Sequence, residues 1–130
     1  MTEEHPLLVD SNIFIDCLRQ GVDPTDHLLD RYPLTDLVTC GMVKAEVLRG
    51  VKSIKLRDRL EGLFQVMRFV QTNAKLWDNA WQLAWKMDRQ GKMIPLTDIV
   101  IAACALEEGA AVLTHDRHFD LVPGLRVIPA

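Results

Sequence analysis

Leu7-Leu8-Val9-Asp10-Ser11-Asn12-Ile13-Phe14-Ile15-Asp16 changes its period at Asp10. The three apolar residues before it read as a short strand buried on both faces. After it, Ile13 with Cys17 and Phe14 with Leu18 recur at helical spacing. Ser11 or Asn12 supplies the side-chain oxygen that an N-cap requires. A strand running directly into a helix puts Asp10 at the carboxyl end of the strand, the edge where open α/β sheets bind ligands. The same Asp can also serve simply as a helix cap.

The alternation continues outward. Gly21 and Pro24 frame a loop, and Pro24 opens a short helix to about Arg31. Leu37-Val38-Thr39 reads as a strand, followed by a helix carrying Met42, Val43, Glu46 and Val47 that Gly50 ends. Lys52 to Leu63 is an amphipathic helix whose apolar side is Ile54, Leu56, Leu60, Leu63 and Phe64. Val66 to Val70 reads as a strand. Asn73 caps a long helix from Ala74 to about Gln90, closed by Gly91. After the Pro95 loop, Thr97 is placed to cap a helix from Asp98 to Glu108, apolar from Ile99 to Leu106 and therefore buried. Ala111 to Thr114 and Leu125 to Ile128 are the last strands. There is no Asn-Gly or Asp-Gly hairpin signal. The expectation is an α/β fold: a three-layer α/β/α sandwich around a mainly parallel sheet of about five strands.

The chain has 130 residues, which suits one domain over 1–130. It has no apolar run long enough to span a membrane. Met1 to Pro6 is acidic and lacks the basic start and apolar core of a signal peptide, so the expected location is cytoplasmic. Cys17, Cys40 and Cys104 form no C-x-x-C pair and sit in apolar surroundings, as reduced core residues do. The net charge of −3 is not the footprint of a protein that binds nucleic acid through bulk charge. Nucleic-acid binding would need a local basic patch, a metal, or both.

Four acids share one kind of address. Asp10 follows the first strand. Glu46 lies in the second turn of the helix after the second. Asp98 opens the apolar helix, and Asp116 follows the Ala111–Thr114 strand. In a parallel α/β fold all four belong to one edge of the sheet. Taken singly, each has a plain structural role, such as an acid offsetting a helix dipole. Together they need a counter-charge, because like charges held close are costly. A hard divalent cation suits them: Mg²⁺ takes one or two carboxylates, keeps waters and bridges to phosphate oxygens. Such chemistry hydrolyses a phosphodiester with one or two ions and without a Ser or Cys nucleophile.

Val9-Asp10-Ser11-Asn12, Ala45-Glu46-Val47-Leu48-Arg49-Gly50, Ile94-Pro95-Leu96-Thr97-Asp98-Ile99-Val100-Ile101-Ala102-Ala103 and Leu113-Thr114-His115-Asp116-Arg117-His118-Phe119 resemble the successive motifs of PIN-domain ribonucleases. The size is similar to that of VapC-type toxins of toxin–antitoxin pairs. The resemblance implies a PIN-like fold and an endoribonuclease dependent on Mg²⁺ or Mn²⁺. It implies that Asp10, Glu46, Asp98 and Asp116 form the metal site, with Asn12 and Thr114 in support. It also implies an RNA substrate, a homodimer and a cognate VapB-like antitoxin whose tail occupies the groove.

Asp16 and Asp120 are further acids near these motifs, either joining the site or facing solvent. Arg89, Lys92 and Arg117 are placed to hold RNA phosphates or to remain solvated. His115 and His118 are three apart, which suits a zinc ligand pair, a substrate contact or a solvated turn; no Cys or third His stands near. Trp77, Trp81 and Trp85 form a stripe on one helix, suited to core or interface packing or to base stacking. Two rival functions remain. A haloacid-dehalogenase-type phosphohydrolase also uses an Asp after the first strand, but it needs a second Asp where Asn12 stands. A PIN-like module that only binds RNA or protein would not need the full acidic set.

Overall fold

The structure is a computed structural model and describes residues 5–130; Met1 to Glu4, part of the stretch read for a targeting signal, lie outside the described residues. The strands are β1 (Leu7–Val9), β2 (Leu37–Cys40), β3 (Arg68–Val70), β4 (Ala111–Thr114) and β5 (Val127–Pro129). They form one sheet in the order β3-β2-β1-β4-β5, and every pairing is parallel. The helices are α1 (Ser11–Arg19), α2 (Pro24–Leu29), α3 (Gly41–Arg49), α4 (Ile54–Val66), α5 (Ala74–Arg89) and α6 (Leu96–Glu108). Short 3-10 turns cover Leu34–Asp36 and Arg117–Leu121. This is the expected three-layer α/β/α arrangement.

β1, β2 and β4 are buried throughout, as strands covered by helices on both faces must be. The chain lays down β1, β2 and β3 in one direction, then returns to place β4 on the other side of β1. That reversal leaves a crevice beyond the carboxyl ends of β1 and β4. Their register pairs Val9 with Leu113, so Asp10 and Thr114 emerge side by side. The Asp10 amide closes the pairing by donating to the Leu113 carbonyl at 3.0 Å. α6 runs through the core, buried from Ile99 to Ala105, and ends at Gly109 in the left-handed conformation that glycine adopts without strain.

Several local expectations are corrected. The cap of α1 is Asp10, whose side chain accepts from the Ser11 amide, so Ser11 and Asn12 are free for other contacts. Thr97 does not cap α6; the helix begins at Leu96, one residue after Pro95, with no side-chain cap. α2 ends at Leu29, before Arg31. α4 starts after Ser53, which caps it, and runs on to Val66; β3 is therefore only Arg68–Val70. Ile54 is 67% exposed because it lies in the first turn, beyond the reach of the core. Leu106 is also exposed, and β5 begins at Val127 rather than Leu125. Trp77, Trp81 and Trp85 are not core residues, being 44%, 57% and 54% exposed; α5 buries the neighbouring face through Leu76, Ala80 and Met87. The three cysteines are buried free thiols, as read.

Candidate active site

Asp10 is the centre of the crevice. It is 3% exposed, and each of its oxygens is tied down. Oδ1 accepts from the Ser11 amide at 2.8 Å, and Oδ2 accepts from the Thr114 hydroxyl at 2.7 Å. Thr114 is itself a junction. Its Oγ1 accepts from Asn12 Nδ2 at 3.3 Å and from the Asp116 amide at 2.9 Å. Asn12 Oδ1 in turn accepts from the His115 amide at 3.4 Å. The first turn of α1 and the exit from β4 are thus laced together around one hydroxyl.

Glu46 reaches the same place from α3. Ser11 Oγ stands 3.3 Å from Glu46 Oε1 and 3.4 Å from Asp10 Oδ1, one hydroxyl between two carboxylates. Asp98 approaches from the first turn of α6 and Asp116 from the end of β4. Asp98 Oδ2 and Asp116 Oδ1 lie 3.2 and 3.3 Å from one atom, His118 Nδ1.

The acids feel each other. Burial pushes the Asp10 carboxyl up to about 6, against the Thr114 and Ser11 hydrogen bonds, and the charges of Asp98 and Glu46 push it the same way. Burial also raises Glu46, opposed by the Ser11 hydroxyl and reinforced by the charge of Asp98. Asp98 is raised by burial and by Asp116, with His118 opposing. Three carboxyls raised by burial first and by neighbouring acids second share this crevice, and holding like charges close is costly. A divalent cation relieves that cost, and an oxygen-rich donor set matches a hard one. The residues therefore fit such an ion.

Asp10, Asn12, Glu46, Asp98, Thr114 and Asp116 are brought together by these contacts. Asp16 is drawn elsewhere, pairing with His115 Nε2 at 3.3 Å and lying 4.0 Å from Arg19 Nη1. Asp120 is exposed and, with Arg117, lines an open cleft of about 280 Å³ beside Asp116. Arg89 is stacked over Trp85, 4.8 Å from the ring centroid, and Lys92 is exposed in the turn after α5. Ser11 takes a part beyond the capping expected of it, and His118, open in sequence between several roles, faces Asp98 and Asp116. A small hydroxyl directly after a strand-end Asp was the available signal for Ser11. For His118 the local signal is Asp116, two residues before it; the second partner, Asp98, lies on another element.

A family model described as PIN domain matches residues 7–125. No curated protein matches the chain. Similar solved structures include DNA-bound VapBC from Salmonella typhimurium, 20% identical with a TM-score of 0.79, covering 96% of this chain and 98% of that one. FitAcB from Neisseria gonorrhoeae is 20% identical with a TM-score of 0.75, covering 94% and 96%. VapC20 of Mycobacterium tuberculosis, described as a sarcin-ricin loop cleaving toxin, is 18% identical with a TM-score of 0.66, covering 95% and 99%.

Proposed function

We propose, from the premise that this chain belongs to the PIN-domain family, that it is an endoribonuclease dependent on Mg²⁺ or Mn²⁺ and the toxin of a toxin–antitoxin pair. The observation that carries the reading is the meeting of Asp10, Glu46, Asp98 and Asp116, each from a different element, at the reversal point of the sheet. Asp10, Asp98 and Asp116 are assigned to holding the cation, with Glu46 holding it or orienting water. Bound there, a divalent cation supplies a more acidic water and offsets charge on the phosphate.

The chain's own groups do the positioning. Thr114 fixes Asp10 Oδ2, and the Ser11 amide fixes Oδ1, so this carboxylate is held in one orientation. Asn12 holds the Thr114 hydroxyl and the start of the following turn. That use of Asn12 also counts against the phosphohydrolase alternative, which needs a carboxylate at this place. Ser11 holds the Glu46 carboxylate toward Asp10. Burial and the charge of Asp98 raise Glu46, with the Ser11 hydroxyl opposing, so its carboxylate gains from a cation beside it.

The similar structures named VapBC and FitAcB support an antitoxin as partner, and a homodimer is the assembly we propose. RNA is the proposed substrate, with Arg117 the basic residue nearest the acids in sequence; Asp120 is left as a solvent-facing acid of the neighbouring cleft. No helix among the described residues is long and apolar enough to cross a membrane.

Expression of the chain alone in a bacterial host tests this reading. Growth arrest with loss of intact RNA is expected, and Asp10→Asn and Asp98→Asn should each abolish both while the protein remains folded. Arrest and cleavage undiminished in those variants would rule the assignment out.

A further inference from the structure

His115 and His118, three apart in sequence, go to different places. His115 Nε2 meets Asp16 Oδ2 at 3.3 Å. His118 turns toward the acidic crevice for a local reason. Asp116 caps the 3-10 turn, its Oδ1 accepting from the His118 amide at 2.9 Å, and this folds the imidazole back over the crevice. Nδ1 then lies 3.2 Å from Asp98 Oδ2 and 3.3 Å from Asp116 Oδ1. One ligand atom from each of the three residues lies within 4.8 Å of the others.

A single N–H is directed best at one acceptor. One nitrogen almost equidistant from two carboxylate oxygens of separate elements is instead the spacing of neighbouring ligands around an octahedral ion. Bonds of about 2.1 Å put adjacent donors about 3 Å apart. Asp98 and Asp116 are already assigned to holding a cation, so the nitrogen faces the same space.

We infer that His118 Nδ1 is a third protein ligand beside Asp98 and Asp116, and that it tilts this site toward Mn²⁺ and other first-row transition ions over Mg²⁺. The inference rests on the metal-dependent reading above. Mg²⁺ prefers oxygen donors and gains little from an imidazole. Transition ions gain from a nitrogen donor. A site of carboxylates alone would discriminate less. His118 is half-exposed, so its removal leaves the core untouched.

The test uses the full chain, stripped with EDTA and titrated calorimetrically with MnCl₂ and, separately, with MgCl₂, in the wild type, His118→Ala and Asp98→Asn. The Mn²⁺-loaded proteins are also read by electron spin-echo modulation for a coupled nitrogen. The wild type should bind Mn²⁺ more tightly than Mg²⁺ and show nitrogen coupling. His118→Ala should lose that coupling and weaken Mn²⁺ by about tenfold, with Mg²⁺ changed much less. An unchanged Mn²⁺ to Mg²⁺ ratio in His118→Ala, or no nitrogen coupling in the wild type, overturns the inference. If Asp98→Asn meanwhile loses both ions, the metal-dependent reading survives and only the role of His118 falls. If the wild type binds neither ion, or Asp98→Asn binds both unchanged, the underlying reading fails and the inference falls with it.

Discussion

Thr114 shows how much one side chain carries here. Its hydroxyl donates to Asp10 Oδ2 and accepts from Asn12 and from the Asp116 amide. Thr114→Val keeps the shape and removes all of these bonds. It leaves a buried carboxylate oxygen and a backbone amide short of partners, at a cost of about 1–3 kcal/mol. The lost Thr114 hydrogen bond is also one that lowers the Asp10 carboxyl, so its value should rise further. The acid limb of the cleavage profile should therefore move to higher pH, as a pH–rate series on Thr114→Val would show. The strand-end acids are legible in the sequence because Asp10 directly follows an apolar run and Asp116 comes three residues after the apolar Ala111–Leu113. Ser11 and His118 are only half legible, because beside Asp10 and Asp116 each also meets a residue far along the chain, Glu46 and Asp98 respectively.

At the scale of elements, α6 links stability to the site. It is buried from Ile99 to Ala105, and its first turn presents Asp98. Ile101 is fully buried, so Ile101→Ala should cost about 2–5 kcal/mol, read as a lower denaturant midpoint. Uninterrupted apolar sequence made this helix readable before its neighbours were known, and the short buried strand β4 was read with its observed bounds. Edges were harder. β3 and β5 are only partly buried, so their patterns are weak, and Val66 went to a helix end rather than a strand. For the tryptophan stripe only the core alternative falls. Helical spacing shows that Trp77, Trp81 and Trp85 share a face, but which face is buried is decided by Leu76, Ala80 and Met87 beside them.

For the whole molecule, the crevice sets a pH dependence. Asp10 is raised to about 6 in the folded chain, against about 3.9 when unfolded. Between these values the folded state holds more protons, so stability falls as pH rises and the last of it is lost as pH passes through about 6. Glu46 and Asp98 are shifted in the same direction. With EDTA present, Asp10→Asn should remove about 1.4 kcal/mol of this loss between pH 5 and pH 8. Denaturant melts of both proteins at the two pH values give the comparison; identical pH dependence would contradict the burial argument.

As proposed, this crevice cleaves RNA internally by means of a bound divalent cation. End-labelled RNA incubated with the purified chain and Mg²⁺ or Mn²⁺ should give internal cuts on a denaturing gel. Those cuts should vanish with EDTA, return when the ion is restored in excess, and be absent with Asp98→Asn. Cleavage that persists in EDTA, or that Asp98→Asn performs as well as the wild type, would contradict the claim.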